Sequence, residues 1–289
     1  MENFGKIFKY LREGKGKSLS EVAKDHLSTS QLSRFENGQS DITVSKLILV
    51  LEELNVGLDE FVYASQDFKK DELTKILEKM KKAIYDRDVV TLKQLLSEQM
   101  RKAQGGIHQE FHELNALLIK LRLADLDKEI VVHPEELLLL TDYLFQVENW
   151  GYYELLLFAN SMDDLSQDSL LIFCREILRR TQFYREMKQH RTVISQILLG
   201  AYLVCIHRDR FVDALYLDKT INSLFFDETE IFERILYKYG KALYEFKKNN
   251  STSSIMEMRK CIGLFREVES HGIADWYEKY LEKILNGDE

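Results

Sequence analysis

Residues 29–37, Thr-Ser-Gln-Leu-Ser-Arg-Phe-Glu-Asn, gather hydroxyls, amides and one guanidinium into a stretch with helical spacing. Leu32 and Phe35 lie three apart and share one face. At the helical repeat Ser30, Ser33, Arg34 and Asn37 then point away from it, with Thr29 and Gln31 flanking. Small polar side chains let a helix enter the major groove of DNA, and an arginine can bridge to guanine or to phosphate. Ser28 is placed to cap this helix and Gly38 to stop it. Upstream, Ser18 and Glu21 have capping-box spacing and predict a second helix over Leu19 to His26. Two short helices joined by a tight turn, the second carrying the polar set, form what a helix-turn-helix requires. Residues 1–34 hold seven basic and four acidic side chains, so positive charge gathers on the half that would face phosphate. Arg12 and Lys17 join the candidate DNA contacts from that half.

Other fragments imitate chemistry. Gly16-Lys17-Ser18 ends like a phosphate-binding loop, but the position where the first glycine belongs is Leu11, and a helix precedes it instead of a strand. His108 and His112 sit four apart near Glu113, yet a zinc-protease helix needs glutamate right after the first histidine, where Gln109 stands. Cys174, Cys205 and Cys261 are widely spaced and odd in number, which suits small core residues in a reducing compartment. Asn250-Ser251-Thr252 fits a glycosylation sequon, but nothing routes the chain to a secretory compartment. No nucleophile, base and orienting group stand out together. No enzyme activity, metal or cofactor is expected.

The elements that must position these residues follow from composition. Pro134 is the single proline among 289 residues, against an average usage of roughly 5%. Proline interrupts helices, so a chain nearly without it and rich in Leu, Lys and Glu can be almost continuous helix. Glycine-rich phosphate loops and valine-rich buried strands are missing, which disfavours a parallel α/β enzyme. The net charge of −8 excludes a wholly basic nucleic-acid binder but not a reading head on an acidic body. No apolar run is long enough to span a bilayer, and the N-terminal residues lack a secretory signal's apolar segment. The expected setting is the cytoplasm, with no membrane partner.

The expected fold is all-α: a helix-turn-helix domain over residues 1–66, then a tetratricopeptide-like helical-repeat solenoid over residues 67–289. The polar junction Tyr63 to Lys70 marks the boundary. Helical spacing predicts body helices at 73–84, 88–104, 109–123, 134–147, 152–162, 168–184, 191–206, 210–224, 229–247, 252–271 and 274–285. Gly200-Ala201-Tyr202-Leu203 and Gly240-Lys241-Ala242-Leu243 stand 40 residues apart, a faint internal repeat. A glycine inside a helix there would let a neighbouring helix approach closely.

At this point two segments resemble known families. Leu27 to Thr43, LSTSQLSRFENGQSDIT, resembles the recognition segment of Xre/Cro-type helix-turn-helix proteins. The resemblance implies that Thr29, Ser30, Gln31 and Arg34 read DNA, that Ser33 and Asn37 touch phosphate, and that Glu36 is structural. The usual turn glycine is absent and the turn is one residue shorter, so its geometry around Asp25 to Leu27 must differ. Val147 to Ser166, VENWGYYELLLFANSMDDLS, is similar to a segment of the Rgg/GadR/MutR transcriptional regulators, as are the shortened turn and the length. That implies a homodimeric regulator with an N-terminal DNA-binding domain and a C-terminal repeat domain, many such proteins binding a short signalling peptide in quorum sensing.

A peptide in a helical groove needs amides or guanidinia for its backbone and apolar pockets for its side chains. The candidates are Asn149, Trp150, Arg175, Arg179, Tyr184, Asn222, Arg234 and Tyr237. The expected partners are thus double-stranded operator DNA, a short signalling peptide and a second copy of the chain, with RNA polymerase as a candidate contact. Two rivals remain at this point: a ligand-independent dimeric regulator, and a protein-sequestering helical-repeat module.

Overall fold

The computed structural model describes residues 4–65, 72–106, 108–184, 186–223 and 228–286, and every regular element among them is helical. Contacts divide the chain into two compact units, residues 1–79 and 80–289. The boundary expected at residue 66, and residues 66–70 of the junction, lie outside the described residues, as does Leu224 at the end of one expected helix.

The first unit opens with α1 (Phe4–Gly14), α2 (Leu19–Ala23), α3 (Thr29–Glu36), α4 (Val44–Glu53) and α5 (Leu58–Ser65). Their core is Phe8, Val22, Leu27, Leu32, Phe35, Val50, Leu51, Leu54 and Phe61. Ser18 caps α2 and Ser28 caps α3, each in a capping box with the side chain three residues on, Glu21 and Gln31. Gly38 follows α3 at φ +69°, a conformation that costs glycine little. α2 closes three residues before the expected His26. Leu27 must turn inward to reach the core, and Lys24 leaves the helix at φ +41° to let it do so. The departing turn is held by Glu53 of α4, which pairs with Lys24 and lies 3.3 Å from His26 Nε2.

The helix α6 (Glu72–Tyr85) spans the division between the units. The second unit continues with α7 (Val89–Ala103), α8 (Gln109–Leu126), α9 (Pro134–Gln146), α10 (Tyr152–Ala159), α11 (Gln167–Arg180), α12 (Lys188–His207), α13 (Phe211–Ser223), α14 (Ile231–Asn249), α15 (Thr252–Glu267) and α16 (His271–Asn286). Sequence neighbours pack as antiparallel pairs, most extensively α7 on α8, α12 on α13 and α14 on α15. The alternate helices α10, α12 and α14 also stack on one another, the layering of a helical-repeat solenoid. Gly240 sits at one such crossing. A Cβ there would lie 2.9 Å from the Tyr202 ring, so α14 approaches α12 as closely as it does because no side chain intervenes.

The expected helix over 168–184 ends instead at Arg180, and a separate 3-10 turn covers Gln182–Tyr184. Thr181 Oγ1 donates to the Ile177 carbonyl, and Arg180 turns away to α9, which together end the helix. Among the described residues no helix is long and apolar enough to cross a membrane.

Candidate DNA-reading face and helical body

On α3, Leu32 and Phe35 face the core while Thr29, Ser30, Gln31, Arg34 and Asn37 are exposed and Ser33 is half-buried. Capping engages Gln31, whose side-chain carbonyl accepts the Ser28 N–H at 3.2 Å. Asn37 Nδ2 donates to the Ser33 carbonyl at 2.8 Å. Arg34 has no hydrogen-bond or ion-pair partner among the described residues, leaving a guanidinium in solvent on the outward face. Lys17 is exposed as well, 3.5 Å from Glu21.

Arg12 does not join this face. Its guanidinium is buried, with Nε 2.6 Å from Glu36 Oε1, Nη2 2.8 Å from Oε2, and Nη1 2.6 Å from the Lys17 carbonyl. The Glu36 hydrogen bonds carry this guanidinium above its ordinary pKa against the opposing effect of burial. Arg12 therefore ties α1 to the end of α3, which corrects its expected role at DNA. Glu36 is structural, as the resemblance implied.

In the body, Trp150 is fully buried. Its ring packs on Phe158 and Phe173, each at 5.6 Å, and Nε1 donates to the Leu144 carbonyl at 3.2 Å. Arg180 lies over the same ring and donates from Nη1 to the carbonyls of Leu144, Phe145 and Val147. These carbonyls at the end of α9 have no intrahelical partner, and the guanidinium satisfies them. Trp150 is thus a core anchor and not a groove residue, a second correction. Neighbouring Asn149 is exposed.

Of the remaining six expected peptide contacts, Asn222 and Tyr237 meet at Asp218. Arg175 lies over the Tyr216 ring at 5.4 Å, linking α11 to α13. Arg179 is exposed and paired with Glu176 on its own helix. Tyr237 is buried and donates to Asp218 Oδ1 at 2.7 Å, while Asn222 Nδ2 donates to the Asp218 carbonyl at 3.0 Å. Burial first, and Asp218 second, push the Tyr237 phenol above its ordinary pKa. Arg234 is exposed. Tyr184 stacks on His190 at 4.7 Å.

Comparison with known proteins decides the lineage of this body. The family described as "HTH-type transcriptional regulator Rgg, C-terminal domain" matches residues 93–279, more than half of the chain, and a helix-turn-helix family matches residues 8–61. The chain belongs to the Rgg family of transcriptional regulators. The solved structure of the Streptococcus dysgalactiae SHP pheromone receptor Rgg2, in its C45S form, is 28% identical over 97% of this chain and 99% of that one, with a TM-score of 0.82. A protein from Listeria monocytogenes EGD-e is 20% identical over 99% of this chain and 98% of its own, with a TM-score of 0.83. The PrgX/cCF10 complex shares the fold at 16% identity and a TM-score of 0.72, over 99% of this chain and 93% of that one.

Within this Rgg-family body the two imidazoles that stand four apart each meet another side chain. His112 Nδ1 lies 2.9 Å from Gln99 Oε1 and His108 stacks on Phe111, and among the described residues no group of His, Cys, Asp or Glu is placed to hold a metal ion. The three cysteines are free and buried. Burial pushes the Cys174 thiol up, away from the thiolate that redox chemistry needs.

Two features were missed by sequence reasoning. One is a cavity of about 630 Å³ between α7, α8 and α9, whose lining residues come from three helices and carry no local signature. The other is His190, buried between Tyr184 and Tyr152, with neither ring nitrogen meeting a hydrogen-bond partner among the described residues. Burial holds this imidazole below its ordinary pKa, so the folded chain keeps it neutral where the unfolded chain binds a proton. That stability is present above the unfolded value near 6.5 and is lost as pH falls through it toward the depressed folded value. His190→Phe keeps a ring in the stack and removes both orphan nitrogens. It should raise the melting temperature more at pH 5.5 than at pH 8, as read by thermal unfolding at both; an equal shift at the two would show that protonation of His190 is immaterial.

Proposed function

We propose that this Rgg-family regulator binds double-stranded operator DNA as a homodimer in the cytoplasm through α3, and that a short signalling peptide in its helical body controls transcription. Residues 1–66 would serve as the reading head and residues 67–289 as the ligand-binding and dimerisation body. Thr29, Ser30, Gln31 and Arg34 would meet base edges, with Ser33, Asn37 and Lys17 at phosphates. Asn149, Arg175, Arg179, Tyr184, Asn222, Arg234 and Tyr237 remain the candidate peptide contacts.

The observation that carries the DNA reading is the solvent-facing guanidinium of Arg34 beside the hydroxyls of Thr29 and Ser30, on a helix held by the buried Arg12–Glu36 pair. The peptide reading is supported by the relatives of the same fold, one an SHP pheromone receptor and one solved as a PrgX/cCF10 complex. Linkage gives the mechanism: a peptide that binds one arrangement of the body better than another shifts the chain toward it, and DNA affinity with it. No catalytic role is assigned to any residue.

Fluorescence anisotropy on DNA from upstream of the chain's own and neighbouring genes tests this, across a salt series. Binding should be sequence-selective and weaken with salt. Arg34→Ala should cost about 1–3 kcal/mol of DNA affinity while leaving the melting temperature unchanged. Undiminished binding by Arg34→Ala would remove α3 as the reader. Peptide from the producing strain should change DNA occupancy or transcription; a change in neither would leave a ligand-independent regulator.

A further inference from the structure

We infer that the cavity between α7, α8 and α9 takes the free amino-terminal end of the peptide, an ammonium carried on apolar residues; this rests on the reading that a peptide occupies the body. At about 630 Å³ the cavity is of the size that small-ligand sites have, roughly 300–1,000 Å³. Its walls are Leu96, Met100 and Ala103 of α7, Ala116 and Leu117 of α8, and Leu139 of α9. Met100 and Leu139 stay 54% and 37% exposed, so apolar surface there is left for a ligand to cover.

The charge at the rim sets the sign of that ligand. Lys120 Nζ donates to both oxygens of Glu136, at 2.7 and 2.6 Å, so that pair is internally balanced. Burial raises the Glu136 carboxyl, but Lys120 and the His133 N–H outweigh it and hold the group ionised below the usual carboxylate range. Glu113 accepts only the Gln109 amide, at 2.8 Å, and has no cationic partner among the described residues. One negative charge is left over beside an apolar wall. A ligand carboxylate would face Glu113 and would have to displace Glu136 from Lys120, whereas a ligand ammonium meets Glu113 directly.

Gln104, an exposed residue of the lining, is placed to pair with a peptide bond. Its side chain lies on the rim with no hydrogen-bond partner among the described residues, and an amide offers a donor and an acceptor in the pattern a peptide bond requires.

Two tripeptide probes of opposite charge test this on the full-length protein, trileucine amide with a free amine and N-acetyl-trileucine with a free carboxylate. The readout is the methyl resonance of Met100 in methyl-labelled protein, assigned through Met100→Leu. Trileucine amide should shift that resonance and saturate in the millimolar range, at concentrations about tenfold lower than the acetylated probe, the worth of one charged hydrogen bond. Glu113→Gln, at a half-buried surface position, should make the two probes equal, and Glu113→Lys should reverse their order. The inference is overturned if neither probe moves Met100, if both do so equally in the unaltered protein, or if the preference survives Glu113→Gln. Such a result would leave any peptide response of DNA binding standing. A missing peptide response with the probe preference intact would instead sink the peptide reading, and the cavity would stand as a site for an apolar amine.

Discussion

Arg12→Met is expected to destabilise the head by about 3–5 kcal/mol, because it strands the Glu36 carboxylate in a buried site without its partner. A domain of this size has only about 5–15 kcal/mol in hand, so most of the helical signal of α1 to α5 should be lost well below the melting temperature of the unaltered chain. DNA binding would go with it. Loss of binding alone therefore does not separate a structural arginine from a phosphate contact, and a double variant does. Arg12→Met with Glu36→Leu removes both charges, and an apolar pair of similar volume is often neutral or stabilising in such a place. The Lys17 carbonyl that Arg12 also serves belongs to an exposed residue, where water can replace the guanidinium. The double variant should thus recover the fold and most of the DNA affinity in the anisotropy assay. A well-folded double variant with no DNA binding would return Arg12 to the reading face.

Trp150→Ala should cost the ligand-free body about 3–5 kcal/mol, seen as a lower urea midpoint. The ring packs against both Phe158 and Phe173, and its removal leaves a cavity where α9, α10 and α11 meet. Arg180 also loses the face it lies on while still holding three carbonyls of α9 and its end. Trp150→Phe restores most of the apolar volume but leaves the Leu144 carbonyl one donor poorer, so its loss should be the smaller, about 1–2 kcal/mol. A peptide contact would behave otherwise: the ligand-free midpoint would hold and the peptide affinity alone would fall. An unchanged midpoint in Trp150→Ala would return the residue to the groove.

These two positions show where sequence reading stops. Arg12 lies near the basic patch of the head and Trp150 lies in the segment most like the Rgg family, so type and neighbourhood pointed both toward ligands. Each is instead consumed by a partner far along the chain. Arg12 meets Glu36 at a separation of 24 residues, and Trp150 packs on Phe173 and under Arg180, both of α11. Nothing in local spacing names such partners. The cavity at Glu113 is hidden for the same reason, since α7, α8 and α9 each supply part of it.

What the sequence determined by itself is the local order. The caps at Ser18 and Ser28, the first-turn Pro134 and the apolar stripes place the helices to within a few residues at most ends, because each depends on groups no more than four positions apart. The outward polar set of α3 follows from the same periodicity. Tertiary structure decided which of the exposed-looking charges stay in solvent. Arg34 does and Arg12 does not, although both are arginines at the ends of short amphipathic helices. It also cut α2 short at Lys24 and the helix over 168–184 at Arg180, where the pull of Leu27 into the core and of Arg180 onto α9 outweighs continued helix. A helix's own sequence says which face is apolar. Which carboxylate or carbonyl a buried guanidinium will meet depends on how distant segments pack, and burial makes that meeting obligatory.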